Sequence, residues 1–231
     1  MKTIKITFSV LILIFLYSCN KKLDNYEIYT EIKGEAKEIY LDHLIFDSLG
    51  QKSNDLKVIQ KSYTSINYDK GIIESIDSTY AINQEKFVFL TKEIYHFIDD
   101  KLESVERFDS DELIGKYVTL NYNSKGLPKE TKYVGSISLK EFYEYNDSSI
   151  VFSTYYEEEI ISKVYKKFDK NGIIKFIRSD FFEQNPSDNS FYITFYYDFK
   201  FDQKGNWIER KGKTEGSILS YFIDRRKIIY E

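Results

Sequence analysis

Five short stretches of this chain repeat one pattern: an aromatic residue, then Asp or Asn, then Gly two or three residues later. They are FDSLG at 46–50, YDKG at 68–71, YNSKG at 122–126, FDKNG at 168–172 and FDQKG at 201–205. Two further copies, FIDDK at 97–101 and YNDSS at 145–149, keep the aromatic and the Asp or Asn but lack the glycine. Counted from Asp47 through Asp69, Asp99, Asn123, Asn146 and Asp169 to Asp202, the intervals are 22, 30, 24, 23, 23 and 33 residues. A period near 23 constrains the fold more than any other feature of the sequence, because each unit must be one supersecondary element.

The physical content of the unit is a turn. An Asp or Asn side chain accepts a hydrogen bond from the backbone two residues on. A glycine three residues later takes the positive φ that ends a type I turn in a G1 bulge. The turn residues are therefore Asp47 with Gly50, Asp69 with Gly71, Asn123 with Gly126, Asp169 with Gly172, and Asp202 with Gly205. The rest of a unit is one strand of roughly eight to ten residues out and one back, which predicts an all-β antiparallel meander of about 14 to 16 strands. The expected form is an open, twisted sheet.

Side-chain alternation supports strands. In FYITFYYDFKF at 191–201, Phe191, Ile193, Phe195, Tyr197, Phe199 and Phe201 fall on one parity, a period of two that expects this face to be buried. The chain carries 21 Tyr and 18 Phe against only 2 Pro, a balance that favours strands. The one tryptophan, Trp207, follows the last turn glycine and is expected to pack over its own hairpin, with ligand stacking, together with Tyr196, as the alternative.

The N-terminus sets the compartment. Lys2 and Lys5 precede an 11-residue apolar stretch, Ile6 to Leu16, too short to span a bilayer, which takes roughly 20 residues. It reads as a secretory signal helix over residues 1–18. Leu16-Tyr17-Ser18-Cys19 resembles the lipobox of bacterial lipoproteins, which implies acylation of Cys19 and a lipidated tether over 19–31 ahead of a β domain at 32–231. Cys19 is the only cysteine, so no intrachain disulfide forms. Asn20 after the cysteine, rather than Asp, resembles outer-membrane sorting, while the periplasmic or surface face stays open.

The aromatic-Asp-x-x-Gly turns at this period resemble YD (Rhs-type) repeats, and the layout from IKGEAKEIY at 32–40 to the closing IDRRKIIYE is similar to short Bacteroidota lipoproteins of unassigned function. No Arg-Leu follows the glycines, and seven copies are too few to build the shells that long arrays form. Asp47-Ser48-Leu49 and Asp77-Ser78-Thr79 resemble the Bacteroidota O-glycosylation pattern, although either is equally an ordinary turn.

Chemistry is excluded more readily than assigned. A net charge of −4 with interspersed signs argues against nucleic acid as a partner. No GxSxG elbow and no phosphate-binding loop is present. His43 and His96 stand apart, and the lone cysteine is committed to lipid, so no metal site is expected. Asp109, Asp111 and Glu112 lack the glycine and glutamate spacing of a calcium loop. Glu157 to Glu159 read as an exposed turn. The resulting expectation is a cofactor-free, non-catalytic envelope module. It presents an aromatic-rich sheet to a protein or glycan, with toxin immunity or carriage of a lipid-like ligand as alternatives.

Overall fold

The computed structural model describes residues 32–45, 57–81, 84–109, 112–135, 137–183, 189–216 and 219–230. They form fourteen antiparallel strands. Seven run in one direction: β1 (Ala36–Ile45), β3 (Ile72–Ala81), β5 (Lys101–Asp109), β7 (Pro128–Val134), β9 (Ser149–Tyr156), β11 (Ile174–Phe181) and β13 (Trp207–Gly216). Seven return: β2 (Lys57–Asn67), β4 (Lys86–Ile98), β6 (Glu112–Tyr122), β8 (Leu139–Asn146), β10 (Glu159–Phe168), β12 (Ser190–Phe201) and β14 (Ser220–Tyr230).

Each strand pairs with its sequence neighbours, and β1 also pairs with β14, from Ala36 opposite Tyr230 to Ile45 opposite Phe222. The sheet therefore closes into a barrel. This overturns the open sheet, while the all-β, antiparallel hairpin organisation stands. The turn period specifies which strands are adjacent in sequence; it carries no information about the first strand meeting the last. Register shifts between Asp77 and Ser78, Arg107 and Phe108, and Tyr197 and Lys200 mark bulges. Such bulges add the curl that closure demands.

The six repeat motifs among the described residues collect at one end of the barrel, and they sort into three turn types. Around Asn123, Asp169 and Asp202 the turns are alike. The Asx Oδ1 accepts two backbone N–H groups, from Lys125 and Leu127, Asn171 and Ile173, and Lys204 and Asn206, at 2.8–3.0 Å. Gly126, Gly172 and Gly205 take φ of 78°, 78° and 81°. The YDKG turn is shifted by two residues, because Asn67 Oδ1, rather than Asp69, receives the Lys70 N–H at 2.9 Å. Its Gly71 has φ 62° and donates to Tyr68 O. The glycine-free copies are two-residue hairpins. Asp99 and Asp100 take φ of 50° and 61°, a conformation that Asp tolerates, and Asp147-Ser148 links Asn146 to Ser149. Asp47, Gly50 and Ser48 lie outside the described residues, as does the 1–31 segment with Cys19.

The apolar core sits at this tight-turn end. Ile32, Ala36, Ile39, Ile66, Ile73, Phe97 and Leu102 form one buried cluster. Residues 32–33 lie across the barrel opening. Lys33 N donates to Asn206 Oδ1 at 2.7 Å, and Asn206 Nδ2 donates to Lys33 O at 2.9 Å and to Tyr230 Oη at 2.8 Å. Tyr230 Oη in turn donates to Asp202 Oδ2. Asn206, only 2% exposed, thereby ties the chain segment before β1 to the last turn and to the last strand.

Candidate functional site: the barrel lumen

Strand parity decides which side chains face inward. On β14, Phe222, Asp224 and Arg226 point into the barrel, while Arg225 and Lys227 point out. On β12 the inward set includes Thr194, bonded to Thr214 at 3.0 Å, and Tyr196, which packs on Arg210. Phe191, Phe195 and Tyr197 are 45%, 40% and 39% exposed on the outer wall, so the parity expected to be buried is the outer one. There, rings line up across strands: Tyr165 with Phe176 at 5.9 Å, and Phe176 with Phe195 at 5.3 Å. The outer wall is otherwise laced with cross-strand ion pairs, among them Lys92–Glu74 at 2.7 Å, Lys116–Glu106 at 3.1 Å and Arg225–Glu209 at 2.9 Å.

Inside, the region beneath β12, β13, β14 and β1 is filled by one polar network. Buried Asp224 accepts from Arg210 Nε at 2.8 Å and lies 2.6 Å from His43 Nδ1. Burial works to raise its pKa, but the His43 hydrogen bond and the Arg210 charge outweigh it and hold the carboxyl below its ordinary range. Trp207 is 3% exposed, with the Arg226 guanidinium 3.3 Å and that of Arg210 4.0 Å from its ring centre. Arg226 Nε also donates to Trp207 O at 3.0 Å. Trp207 is therefore a filling of this network, not a cover on its own hairpin. Phe222 lies over Gly212, whose missing Cβ would sit 2.0 Å from the ring, and it contacts His43 and Tyr196. Structure thus brings Trp207 and Tyr196 together around Arg210. A cavity of about 220 Å³ borders the network, lined by Ser62, Thr64, Asp77 and Tyr95 as well as the two arginines. Burial pushes the Asp77 carboxyl up, with Ser62 opposing.

A second cavity, of about 240 Å³, is lined by residues of eight consecutive strands, β4 to β11, and so lies within the lumen. Tyr95 lines both cavities and stands between them. The wall near the tight turns is apolar: Leu102, Val105, Ile150, Phe152, Phe168 and Ile174. Toward the loops it is polar. Arg107 bonds Glu93 through Nε at 2.8 Å and Nη2 at 2.6 Å, and Tyr95 Oη donates to Glu93 at 2.6 Å. Burial disfavours the Arg107 charge, but Glu93 reverses this and holds its pKa above the ordinary value. Glu141 Oε2 accepts from Thr131 at 3.1 Å and Tyr143 at 2.6 Å. Burial raises the pKa of Tyr117 and Tyr145, so both stay protonated as neutral lining. Lys166, from β10, completes the wall, its Nζ 5.8 Å from the Phe152 ring centre.

Of these lining residues the sequence marks only Tyr145 and Phe168, as the aromatics of two repeat turns, and none as a site. Lys163, Lys166 and Lys167 are indistinguishable in a string; only the closed sheet puts Lys166 inside. His96 faces outward, 3.4 Å from Glu106, and Asp109 pairs with Glu112 at the β5–β6 turn, with Asp111 outside the described residues. Glu157, at φ 55°, and Glu158 form the β9–β10 turn, and the Ser78 hydroxyl donates to Lys61 O. Among the described residues no group of His, Cys, Asp and Glu is arranged to hold a metal ion.

No family model and no curated protein matches this chain. Among solved structures it is similar to a porin-like protein from Bacteroides uniformis. That similarity has a TM-score of 0.49 and 7% identity, over 84% of this chain and 97% of that one. A likeness of that degree supports no functional inference.

Proposed function

We propose that this chain is a non-catalytic lipoprotein of the bacterial cell envelope, tethered through Cys19, whose barrel holds a small amphiphile in the lumen. The observation that carries this reading is the cavity enclosed by β4 to β11, with an apolar wall at one end and a few convergent polar groups at the other. Concave, mostly apolar sites with a small number of placed polar groups are where small ligands bind. Lipid carriage was one of the alternatives that the sequence left open, and the enclosed lumen favours it over a face that presents aromatics outward.

Two further observations support the reading. The luminal carboxylates Glu93 and Asp224 are held by Arg107 and by Arg210 with His43, which suits a filler or binding wall better than an acid-base pair awaiting a substrate. The ion pairs on the outer wall suit water. An Arg or Lys facing lipid at the bilayer midplane costs about 2–4 kcal/mol, and Lys92, Lys116 and Arg225 would each face it in a membrane-spanning barrel. The barrel is therefore held at a membrane by its anchor and is not a pore through it. A second reading, docking of a protein or glycan on the outer aromatic row, rests on the Tyr165–Phe176–Phe195 ladder.

The test is mass spectrometry of small molecules extracted from the acylated protein purified from its own cells, with Ile150→Trp as the cavity-filling control. Wild type is expected to carry an amphiphile that the variant lacks. Identical small molecules in both would remove the luminal reading, and cross-linking of a specific protein or glycan to residues 176 or 195 would support the second.

A further inference from the structure

Of the two cations lining the β4–β11 cavity, Lys166 is the one with no carboxylate within 4 Å among the described residues. Arg107 is matched by Glu93. Glu141 has two hydroxyl donors on one oxygen. Lys166 makes no salt bridge within 4 Å among the described residues, and its one contact of electrostatic character is the Phe152 ring at 5.8 Å. On the sheet Lys166 stands opposite Ile150 on β9 and Ile177 on β11, and Phe168 follows it two residues on along the same strand. A half-buried ammonium against hydrocarbon side chains is costly unless a counter-charge or hydrogen-bond acceptors reach it.

We propose that Lys166 is the head-group anchor of the luminal site, and that the ligand is an amphiphile with a single carboxylate, its apolar tail lying against Leu102 and Val105. This rests on the lumen being a ligand site. The ammonium supplies a point charge with three donors, suited to one carboxylate without fixed orientation. The tail needs only the apolar wall. Tyr117, Tyr143 and Tyr145 flank the same space and offer ring faces and neutral hydroxyls. Glu141, the remaining lining carboxylate without a cationic partner, already has its charge shared by Thr131 and Tyr143, which leaves Lys166 as the stronger demand for an opposite charge.

The test uses the acylated full chain in lipid nanodiscs and three 12-carbon probes that carry the same photoreactive diazirine: a carboxylic acid, an alcohol and an amine. The concentration giving half-maximal cross-linking is read for each. Wild type is expected to capture the acid at a concentration on the order of tenfold below the alcohol, since a charge-assisted hydrogen bond is about twice as strong as a neutral one. Lys166→Gln should erase that preference and leave the alcohol unchanged, and Lys166→Arg should restore it. Equal capture of acid and alcohol by wild type, or a preference that survives Lys166→Gln, would overturn the assignment while leaving the luminal site intact. Preferential capture of the amine would place the head group at Glu141 instead and overturn it too. If no probe cross-links to luminal residues, the binding reading itself falls, and this proposal with it.

Discussion

On the β12–β13–β14–β1 side of the lumen the protein completes its own interactions: Asp224 answers Arg210 and His43, and Trp207 lies between two guanidinium groups. On the β8–β11 side, strands of the same kind leave a cavity and an ammonium with no carboxylate within 4 Å among the described residues. Both sides obey the same pleat and the same turn chemistry. The repeat builds the wall, whereas the identity of the inward side chains decides whether a given stretch of lumen serves folding or binding.

Substitutions on the filled side should be costly. Asp224→Ala leaves Arg210 buried beside an unanswered histidine, and removing one partner of a buried pair costs about 3–5 kcal/mol. Urea unfolding of variant against wild type measures it, and a loss below 1 kcal/mol would mean that the network is not structural. The same carboxyl predicts an acid limb. Its folded pKa lies below the unfolded value of about 3.9, so its contribution is present above that range and is lost as pH falls through the folded pKa. Stability of Asp224→Asn should fall less steeply below pH 4 than that of wild type.

A smaller effect separates the turns. Gly172 and Gly205 have open space where a Cβ would go, so Val there should cost only backbone strain, about 1–3 kcal/mol. Gly71 has the same positive φ, and its Cβ would lie 2.4 Å from Phe97 O, which also accepts no easy displacement because Phe97 N donates to Gly71 O at 2.7 Å. Thermal unfolding should therefore rank Gly71→Val below Gly172→Val and Gly205→Val. Equal losses at all three would remove the distinction between the shifted turn and the three Asx turns.

Ile150→Trp enlarges a side chain beside empty volume and should change stability by less than about 1 kcal/mol, whereas Ile66→Trp, in the closed core, should cost about 1–3 kcal/mol or more from overpacking. Equal destabilisation by the two, read in the same urea titrations, would argue that the β4–β11 side is as tightly packed as the core.

The parts of this architecture that were legible in the sequence are the local ones. An Asx side chain and a glycine three residues apart make their hydrogen bonds within five residues, so Asn123, Asp169 and Asp202 announce their turns without reference to the rest of the chain. Closure was not legible, because Ile39 meets Ile228 through a pairing that no local pattern encodes. Parity failed for a related reason. Residues 191–201 alternate cleanly, but aromatics occupy both faces, and which face is inner depends on the direction in which the sheet curls. The candidate site inherits both difficulties: Trp207 stood out by rarity, while Lys166 is one lysine among many until the barrel closes around it.

Mapping where a photoreactive 12-carbon acid attaches to the nanodisc-anchored protein, by peptide mass spectrometry after irradiation, separates the two sides of the lumen. Label is predicted on the apolar cavity wall, at Leu102, Val105, Ile150, Phe152, Phe168 or Ile174, with its loss in Ile150→Trp. Label concentrated instead around Trp207 and Arg210, or spread over the outer aromatic row at Phe176 and Phe195, would contradict it.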